Sequence, residues 1–375
     1  MELEIDPSVA VFVPRGVGNA FQTLDDDTVY SYLVNDHWSP TGSYTFLNLA
    51  DPTVDIAWPI PLADAELSDK DRNHPLLGDV VPMTPRATVI LGAGGQLGTA
   101  LAREFPEARA LTRADLDITA LTDDSLDWAS VGVVINATAY TAVDRAESAE
   151  GRAEAWATNV AALSTLVDIC RRHQITLVHV SSDYVFDGEF DGEADEHHGF
   201  APLNVYGVTK AAGDALVAGL PRHYIVRTSW VIGDGSNFVA TMNRLADGGV
   251  DPEVITDQRG RLSFTADIAR GIHHLLDSAS EFGTYNLTAS GPASTWFEIA
   301  REVFRLGGHD ADRVHPVSTD EYAATQAARG NVLARRPRNS MLSLEAIQST
   351  GFIPTDWRTA LADYVENLRA NGGNA

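Results

Sequence analysis

The chain has 375 residues, with 27 basic against 52 acidic side chains and a formal charge of −25. That length predicts two or three domains with ample core, and the acidic excess argues against general affinity for nucleic acid or an anionic membrane, so an anionic ligand must be met by a local cationic cluster. One cysteine, Cys170, rules out an internal disulfide framework and suits a reducing compartment. No signal-like apolar run follows Met1 and no stretch approaches the ~20 apolar residues of a bilayer span, so the expectation is a soluble, cytoplasmic protein.

Up to about Met83 the texture is β-rich, with short runs at Val9–Pro14, Val29–Val34 and Ser43–Asn48 separated by Gly, Asp, Asn and Pro. The strings Val13-Pro-Arg-Gly-Val-Gly-Asn-Ala-Phe21, Tyr32-Leu-Val-Asn-Asp-His-Trp-Ser-Pro40, Ile56-Ala-Trp-Pro59 and Leu67-Ser-Asp-Lys-Asp-Arg72 resemble the C-terminal half of the dTDP-4-dehydrorhamnose 3,5-epimerases, cupin-type jelly rolls. The resemblance implies a partial cupin segment over residues 1–83, with the family's catalytic histidine motif upstream of this chain. Asn19 stands where that family carries a histidine, and Trp38 where it carries a tyrosine. Half a sandwich leaves apolar faces and strand edges uncovered, so epimerase activity is not expected. The segment reads first as the remnant of a fused two-enzyme chain, with packing on the following domain or on a second copy as alternatives. His37 and Trp38 read as strand-end packing rather than ligand groups.

The charge run Asp69–Arg72 and then Pro75, Pro82 and Pro85 mark a linker. A second domain over residues 84–375 opens with a buried strand, Ala87–Leu91, which runs through Gly92-Ala-Gly-Gly-Gln-Leu-Gly98 into a helix over Thr99–Phe105. Gly92, Gly95 and Gly98, in Gly-x-x-Gly-x-x-Gly spacing between a first strand and a first helix, predict a dinucleotide-binding turn that lets backbone approach a pyrophosphate. The next strand, about Ala108 to Leu111, ends in Thr112-Arg113 rather than the acid that binds an unphosphorylated ribose, which favours NADPH over NADH. Asp117 and Ile118 follow where related folds hold the adenine, although Asp117 reads equally well as a cap or turn acid. The run Val131–Ala139 is a further buried strand, and Asn159 opens a helix through Arg172, with Cys170 as a small core residue. The predicted fold class is therefore α/β, a Rossmann-type doubly wound parallel sheet with a smaller α/β lobe formed by the last third of the chain.

Ile175–Val180 reads as another buried strand and is followed by Ser182 and Asp183, then by Asn204-Val-Tyr-Gly-Val-Thr-Lys210. Tyr206 and Lys210 are four residues apart, one above the other on a helix. Hydride reduction of a ketone leaves an oxyanion that needs a proton, and a phenol can supply it. Lowering a phenol from about 10 to near 7 takes roughly 4 kcal/mol, for which Lys210 and an oxidised nicotinamide are candidate sources; in the reducing direction the neutral phenol is already the acid. Ser182 would donate a second hydrogen bond to the developing charge. Arg335, Arg336 and Arg338 are the best cationic cluster for an anionic substrate, with solvated surface arginines as the competing account. His197-His198, after the acidic loop Asp187–Glu196, reads as a solvated loop, and no ligand spacing predicts a metal site.

From about Arg86 to Leu368 the chain resembles the dTDP-4-dehydrorhamnose reductases of the extended short-chain dehydrogenase class. The strings that carry it are Gly95-Gln-Leu-Gly98, Thr138-Ala-Tyr-Thr-Ala-Val-Asp-Arg-Ala-Glu147, Ser182-Asp-Tyr-Val-Phe186, Pro202-Leu-Asn-Val-Tyr-Gly207, Arg227-Thr-Ser-Trp230 and Arg336-Pro-Arg-Asn-Ser340. The resemblance implies Tyr206 as proton donor, Lys210 as its partner and Ser182 in place of the more usual threonine. It implies cofactor contacts from Gly92, Gly95, Gln96, Leu97, Gly98, Asp117, Ile118, Ala139, Tyr140, Thr141, Asn159, Tyr206 and Lys210, with Asn159 supporting the lysine. Ser182, Asp183 and Trp230 would meet a dTDP-sugar, Trp230 as a flat apolar wall. The family's Asp-Gln-x-Gly-x-Pro-Thr loop becomes Asp257-Gln-Arg-Gly-Arg-Leu-Ser263 here. The implied reaction is NAD(P)H-dependent reduction of the C4 ketone of dTDP-4-dehydro-L-rhamnose. An NAD-retaining nucleotide-sugar epimerase or dehydratase and a non-catalytic regulatory subunit of the same fold are the alternatives. The sequence leaves open a requirement for Mg2+ and a homodimer.

Overall fold

The computed structural model describes residues 8, 10–13, 16–34 and 45–372. The chain divides into two compact units, Met1–Pro85 and Arg86–Ala375.

In the first unit the expected strands do not form a ladder: among the described residues no strand precedes Ala87. The run Val29–Val34 has no ladder partner among the described residues, and Val29 and Leu33 are 86% and 102% exposed. The runs at Val9–Pro14 and Ser43–Asn48 fall partly outside the described residues, as do His37 and Trp38 entirely. A strand needs a neighbour to satisfy its backbone groups, so β-rich sequence alone does not make sheet. Local polar clips organise the segment instead. Asp51 accepts from the backbone N–H groups of Thr53 at 2.8 Å, Val54 at 3.0 Å and Leu77 at 2.6 Å, and Ser68 caps a single helical turn, Asp69–Arg72.

The second unit is built on a six-stranded sheet. Its strands are β1 (Ala87–Leu91), β2 (Arg109–Leu111), β3 (Val131–Asn136), β4 (Thr176–Ser182), β5 (His223–Thr228) and β6 (Gly283–Asn286). They lie in the order β2-β1-β3-β4-β5-β6, all parallel. Parallel strands carry cover on both faces, which is why their sequences read as continuous apolar runs. Val89, Val134, Leu177 and Ile225 enter one core with Leu163, Leu166 and Cys170. Ile90, Ile135, Val178 and Val226 enter the other with Leu101, Ile268 and Ile272. Burial pushes the Cys170 thiol up to about 12, as befits an inert core residue.

The helices up to β6 are α1 (Gln96–Glu104), α2 (Ala149–Trp156), α3 (Ala162–His173), α4 (Val205–Ala218), α5 (Phe238–Asp247) and α6 (Thr265–Asp277). The helix expected to open at Asn159 opens earlier: α2 runs into α3 through a π-helical turn, Ala157–Ala161, that contains Asn159. Helices α7 (Trp296–Leu306), α8 (Thr319–Ala328) and α9 (Trp357–Gly372) follow β6. Residues of α5, α7 and α9, among them Val239, Met242, Ile299, Phe304, Trp357 and Leu361, bury a third core that forms the C-terminal lobe. Because the strand after β2 crosses back to the other side of β1, the chain reverses direction between β1 and β3. A crevice at the carboxyl ends of strands flanking such a reversal is where open α/β sheets hold ligands.

Candidate active site

The glycine turn is built as a cradle. Gly92 has φ 83°, and a Cβ there would stand 3.0 Å from the Ala137 carbonyl group and from Thr138 Cγ2. Gly98, in the first turns of α1, lies so close to Gly92 that a Cβ would be 2.0 Å from its carbonyl oxygen. Gly95 is the N-cap of α1, with Gln96 and Leu97 opening the helix, so the unpaired N–H groups of its first turn face the crevice between β1 and β3. Asp117 caps the 3-10 turn Ile118–Ala120 by accepting from Thr119 N at 2.9 Å, and also takes Arg113 Nε at 3.1 Å. The sequence reading passed over Asp115, which accepts from both the amide and the hydroxyl of Thr112, at 2.9 and 2.6 Å.

The loop after β3 is held from behind by the π turn. Asn159 accepts from Tyr140 N at 2.8 Å and donates to Thr209 Oγ1 at 2.9 Å. Asn159 was expected to support the lysine; it reaches α4 at the neighbouring Thr209 instead. A π insertion turns one side chain out of helical register, and such insertions recur at functional sites.

Lys210 is 2% exposed and finds its partners on β4: its Nζ donates to the Val180 carbonyl at 2.7 Å and lies 3.1 Å from His179 Nε2. Burial holds the ammonium down to about 8, with Asp214 acting the other way. His179 is itself buried and neutral, held well below the usual histidine range by desolvation and by the neighbouring Lys210. Its Nδ1 is 3.3 Å from Asn136 Nδ2 at the end of β3.

Tyr206 is half-buried one turn before Lys210. Burial and the Asp183 charge push its phenol up, while a hydrogen bond with the Ser182 hydroxyl pulls the other way. Lys210 is not among the groups that set the phenol here; its ammonium bonds the Val180 carbonyl and lies against His179 on β4. A neutral phenol is the acid form that reduction needs. Ser182 ends β4 and also donates to Asp183 Oδ1 at 3.0 Å. Burial raises the Asp183 carboxyl to about 6, opposed by hydrogen bonds from Ser340 and Ser182.

Behind Tyr206, residues from three separate strings of the sequence come together. Tyr184 meets the Tyr206 ring edge-on at 5.6 Å, the Arg336 guanidinium acts on the Tyr184 phenol, and Arg336 pairs with Asp144 at 2.9 Å. Arg336 is thus committed to the scaffold and leaves the expected cationic cluster. Arg335 and Arg338 are exposed, and Arg259 joins them, since its N–H donates to the Arg338 carbonyl at 2.8 Å. His198 packs its ring on Phe186 and Phe190, at 5.1 and 4.9 Å. Among the described residues no cluster of three metal-ligating side chains occurs, and no helix is long and apolar enough to cross a membrane.

Residues 86–370 match the family model described as RmlD substrate binding domain. The chain belongs to the RmlD family. The dTDP-4-dehydrorhamnose reductase of Mycolicibacterium smegmatis is 38% identical over 288 residues, covering 74% of this chain and 84% of that protein. The dTDP-4-keto-6-deoxy-D-glucose reductase of Streptomyces niveus is 36% identical, covering 76% and 98%. Among solved structures, a dTDP-4-dehydrorhamnose reductase from Bacillus anthracis in complex with NADP superposes with a TM-score of 0.67 at 31% identity, covering 76% of this chain and 100% of that one. Residues 1–79 match the model for dTDP-4-dehydrorhamnose 3,5-epimerase, so the RmlD member carries an epimerase-like segment ahead of its sheet.

Proposed function

We propose that this RmlD family member reduces the C4 ketone of dTDP-4-dehydro-L-rhamnose to dTDP-L-rhamnose with NAD(P)H. The observation that carries the reading is the Lys210 bond to the Val180 carbonyl, which seats the Tyr206/Lys210 face of α4 against the Ser182 end of β4, beside a turn where glycine alone fits. The names of the relatives support the substrate, and the NADP-bound neighbour supports the cofactor.

The residues present fit a dinucleotide: Gly92 makes the tight turn, Gly98 lets α1 pack close against it, and the N-terminus of α1, which no side chain caps, favours a pyrophosphate's charge. Arg113, 84% exposed at the end of β2, is the group that would meet the extra phosphate of NADPH. When bound, the dihydronicotinamide supplies the hydride. Tyr206 gives its proton to the ketone oxygen as the charge develops, and Ser182 donates a hydrogen bond to the same oxygen. Lys210 holds a positive charge one helical turn away, which stabilises the phenolate left behind. Arg259, Arg335 and Arg338 supply the cationic surface that a diphosphate requires in an otherwise acidic chain.

The test is NADPH oxidation by the purified chain with dTDP-4-dehydro-L-rhamnose. Stoichiometric consumption is expected, and Tyr206→Phe should abolish turnover while NADPH still binds. Substantial turnover by Tyr206→Phe would overturn the assignment.

A further inference from the structure

Neighbouring strands set Asn136 and His179 side by side, since the two residues are register partners on β3 and β4. Each is 1% exposed, so the polar atoms they carry find their partners inside the protein. Tracing those partners from β3 towards α4 fixes where the protons lie.

The first link is a backbone N–H, which can only donate. Thr138 N donates to Asn136 Oδ1 at 3.1 Å, and the Thr138 hydroxyl donates to the same oxygen at 2.5 Å. Turning the Asn136 amide over would set its NH2 against the Thr138 N–H, donor against donor, so the oxygen stays with Thr138 and the NH2 faces His179. His179 Nδ1 lies 3.3 Å from that nitrogen and is accordingly the bare, accepting nitrogen of a neutral imidazole. The ring's one proton is then on Nε2, 3.1 Å from Lys210 Nζ. An amine has a lone pair to accept it, and an ammonium has none. In either form Lys210 keeps an N–H for the Val180 carbonyl at 2.7 Å.

The ammonium form asks for the reverse. It needs Nε2 bare, which moves the imidazole proton to Nδ1 and sets it against the Asn136 NH2. Charge on Lys210 therefore competes with the Thr138–Asn136 bonds. Thr138 also lies at the glycine turn, where a Cβ on Gly92 would stand 3.0 Å from its Cγ2, so the linkage runs from the cofactor's cradle to the lysine. The other charged groups nearby are Asp214, one turn further along α4 and paired with Arg227 of β5 at 2.9 Å, and Asp183 just past the end of β4. Asp214 favours the ammonium, and burial opposes it.

We propose that His179 is a positioning residue for Lys210: held as the Nε2–H tautomer by Asn136, it donates to the lysine, tilts it towards the uncharged amine and so sets the alkaline limit of the reaction. The effect on turnover rests on the reductase reading above, whereas the tautomer does not.

The sequence makes the test direct, because it contains two lysines, Lys70 and Lys210. A lysine-labelled sample of the full chain gives two 13Cε signals, and Lys210→Met assigns them. Titrating the Lys210 signal reads its ammonium-to-amine midpoint with no substrate present. Asn136→Leu frees the imidazole to carry its proton on either nitrogen, and the midpoint should rise by about one pH unit, a tenfold gain in ammonium at fixed pH. His179→Gln, whose amide can turn its oxygen to the ammonium, should raise it similarly. Packing alone at His179 would leave the midpoint where it is. Long-range 1H–15N spectra of the imidazoles, with His179 assigned by its loss in His179→Gln, should show the Nε2–H tautomer in Lys210→Met, where no ammonium competes.

The Nδ1–H tautomer in Lys210→Met overturns the proposal even if the chain reduces the sugar. So does an unmoved midpoint in Asn136→Leu, or in His179→Gln should Asn136→Leu fail to fold. The alkaline limb of kcat/KM should move up with the midpoint, and a limb that stays in place while the midpoint moves overturns the link to turnover. A midpoint that moves in a chain that oxidises no NADPH overturns the reductase reading alone.

Discussion

His179 Nε2 lies 3.1 Å from Lys210 Nζ, in a pocket where both side chains are almost wholly buried. The lysine is therefore solvated by an imidazole and a backbone carbonyl rather than by water, and its ammonium is correspondingly easier to lose. A buried cation held down to about 8 by desolvation is protonated below that pH and neutral above it. Turnover should accordingly fall as pH rises through about 8. The kcat/KM profile checks this, and Lys210→Met should lower the rate by about 100-fold or more and remove the alkaline limb.

The Ser182 hydroxyl donates to Asp183 and stabilises the Tyr206 phenol's charged form, so it serves both the proton donor and the site's carboxylate. Ser182→Ala should reduce kcat by about 100-fold, the scale of removing one oxyanion donor. Ser182→Thr keeps the hydroxyl and should retain most of the activity. Equal losses in the two variants would show that the hydroxyl is not what matters.

Asp183 is 3% exposed with its carboxyl raised to about 6 from an ordinary 3.8. The folded state thus favours the protonated form, and the cost of burying the charge is absent below about pH 4 and fully developed above about pH 6. At ~1.36 kcal/mol per unit this cost is on the order of 3 kcal/mol. Asp183→Asn should therefore be more stable than the parent at pH 8 and no more stable at pH 4. Urea unfolding at the two pH values reads the difference, and activity should fall in the stabilised variant.

Gly98→Ala would place a methyl 2.0 Å from the Gly92 carbonyl oxygen, backbone that cannot swing aside. The variant should lose about 1–3 kcal/mol of stability as an overpacked contact, and NADPH binding should weaken because the turn itself has moved. Gly94→Ala, whose nearest neighbour is the Thr112 side chain at 3.7 Å, is the control and should unfold like the parent.

The sequence by itself determined the sheet and most of the site. Runs without strict alternation, such as Val131–Ile135 and Leu177–Val180, report burial on both faces, which is the local signature of parallel strands. The glycine spacing and the Tyr206/Lys210 interval are likewise short-range facts. Only the tertiary structure decided what those groups touch. Lys210 meets His179, 31 residues away, Arg336 is drawn off to Asp144, 192 residues away, and Trp230 is shut between Gly260 and Trp296. Such pairings depend on which strand lies beside which, and no periodicity encodes that. The first unit shows the converse, since Val29–Val34 has β-type residues but no ladder partner among the described residues, and a strand is stabilised by its partner rather than by its own composition.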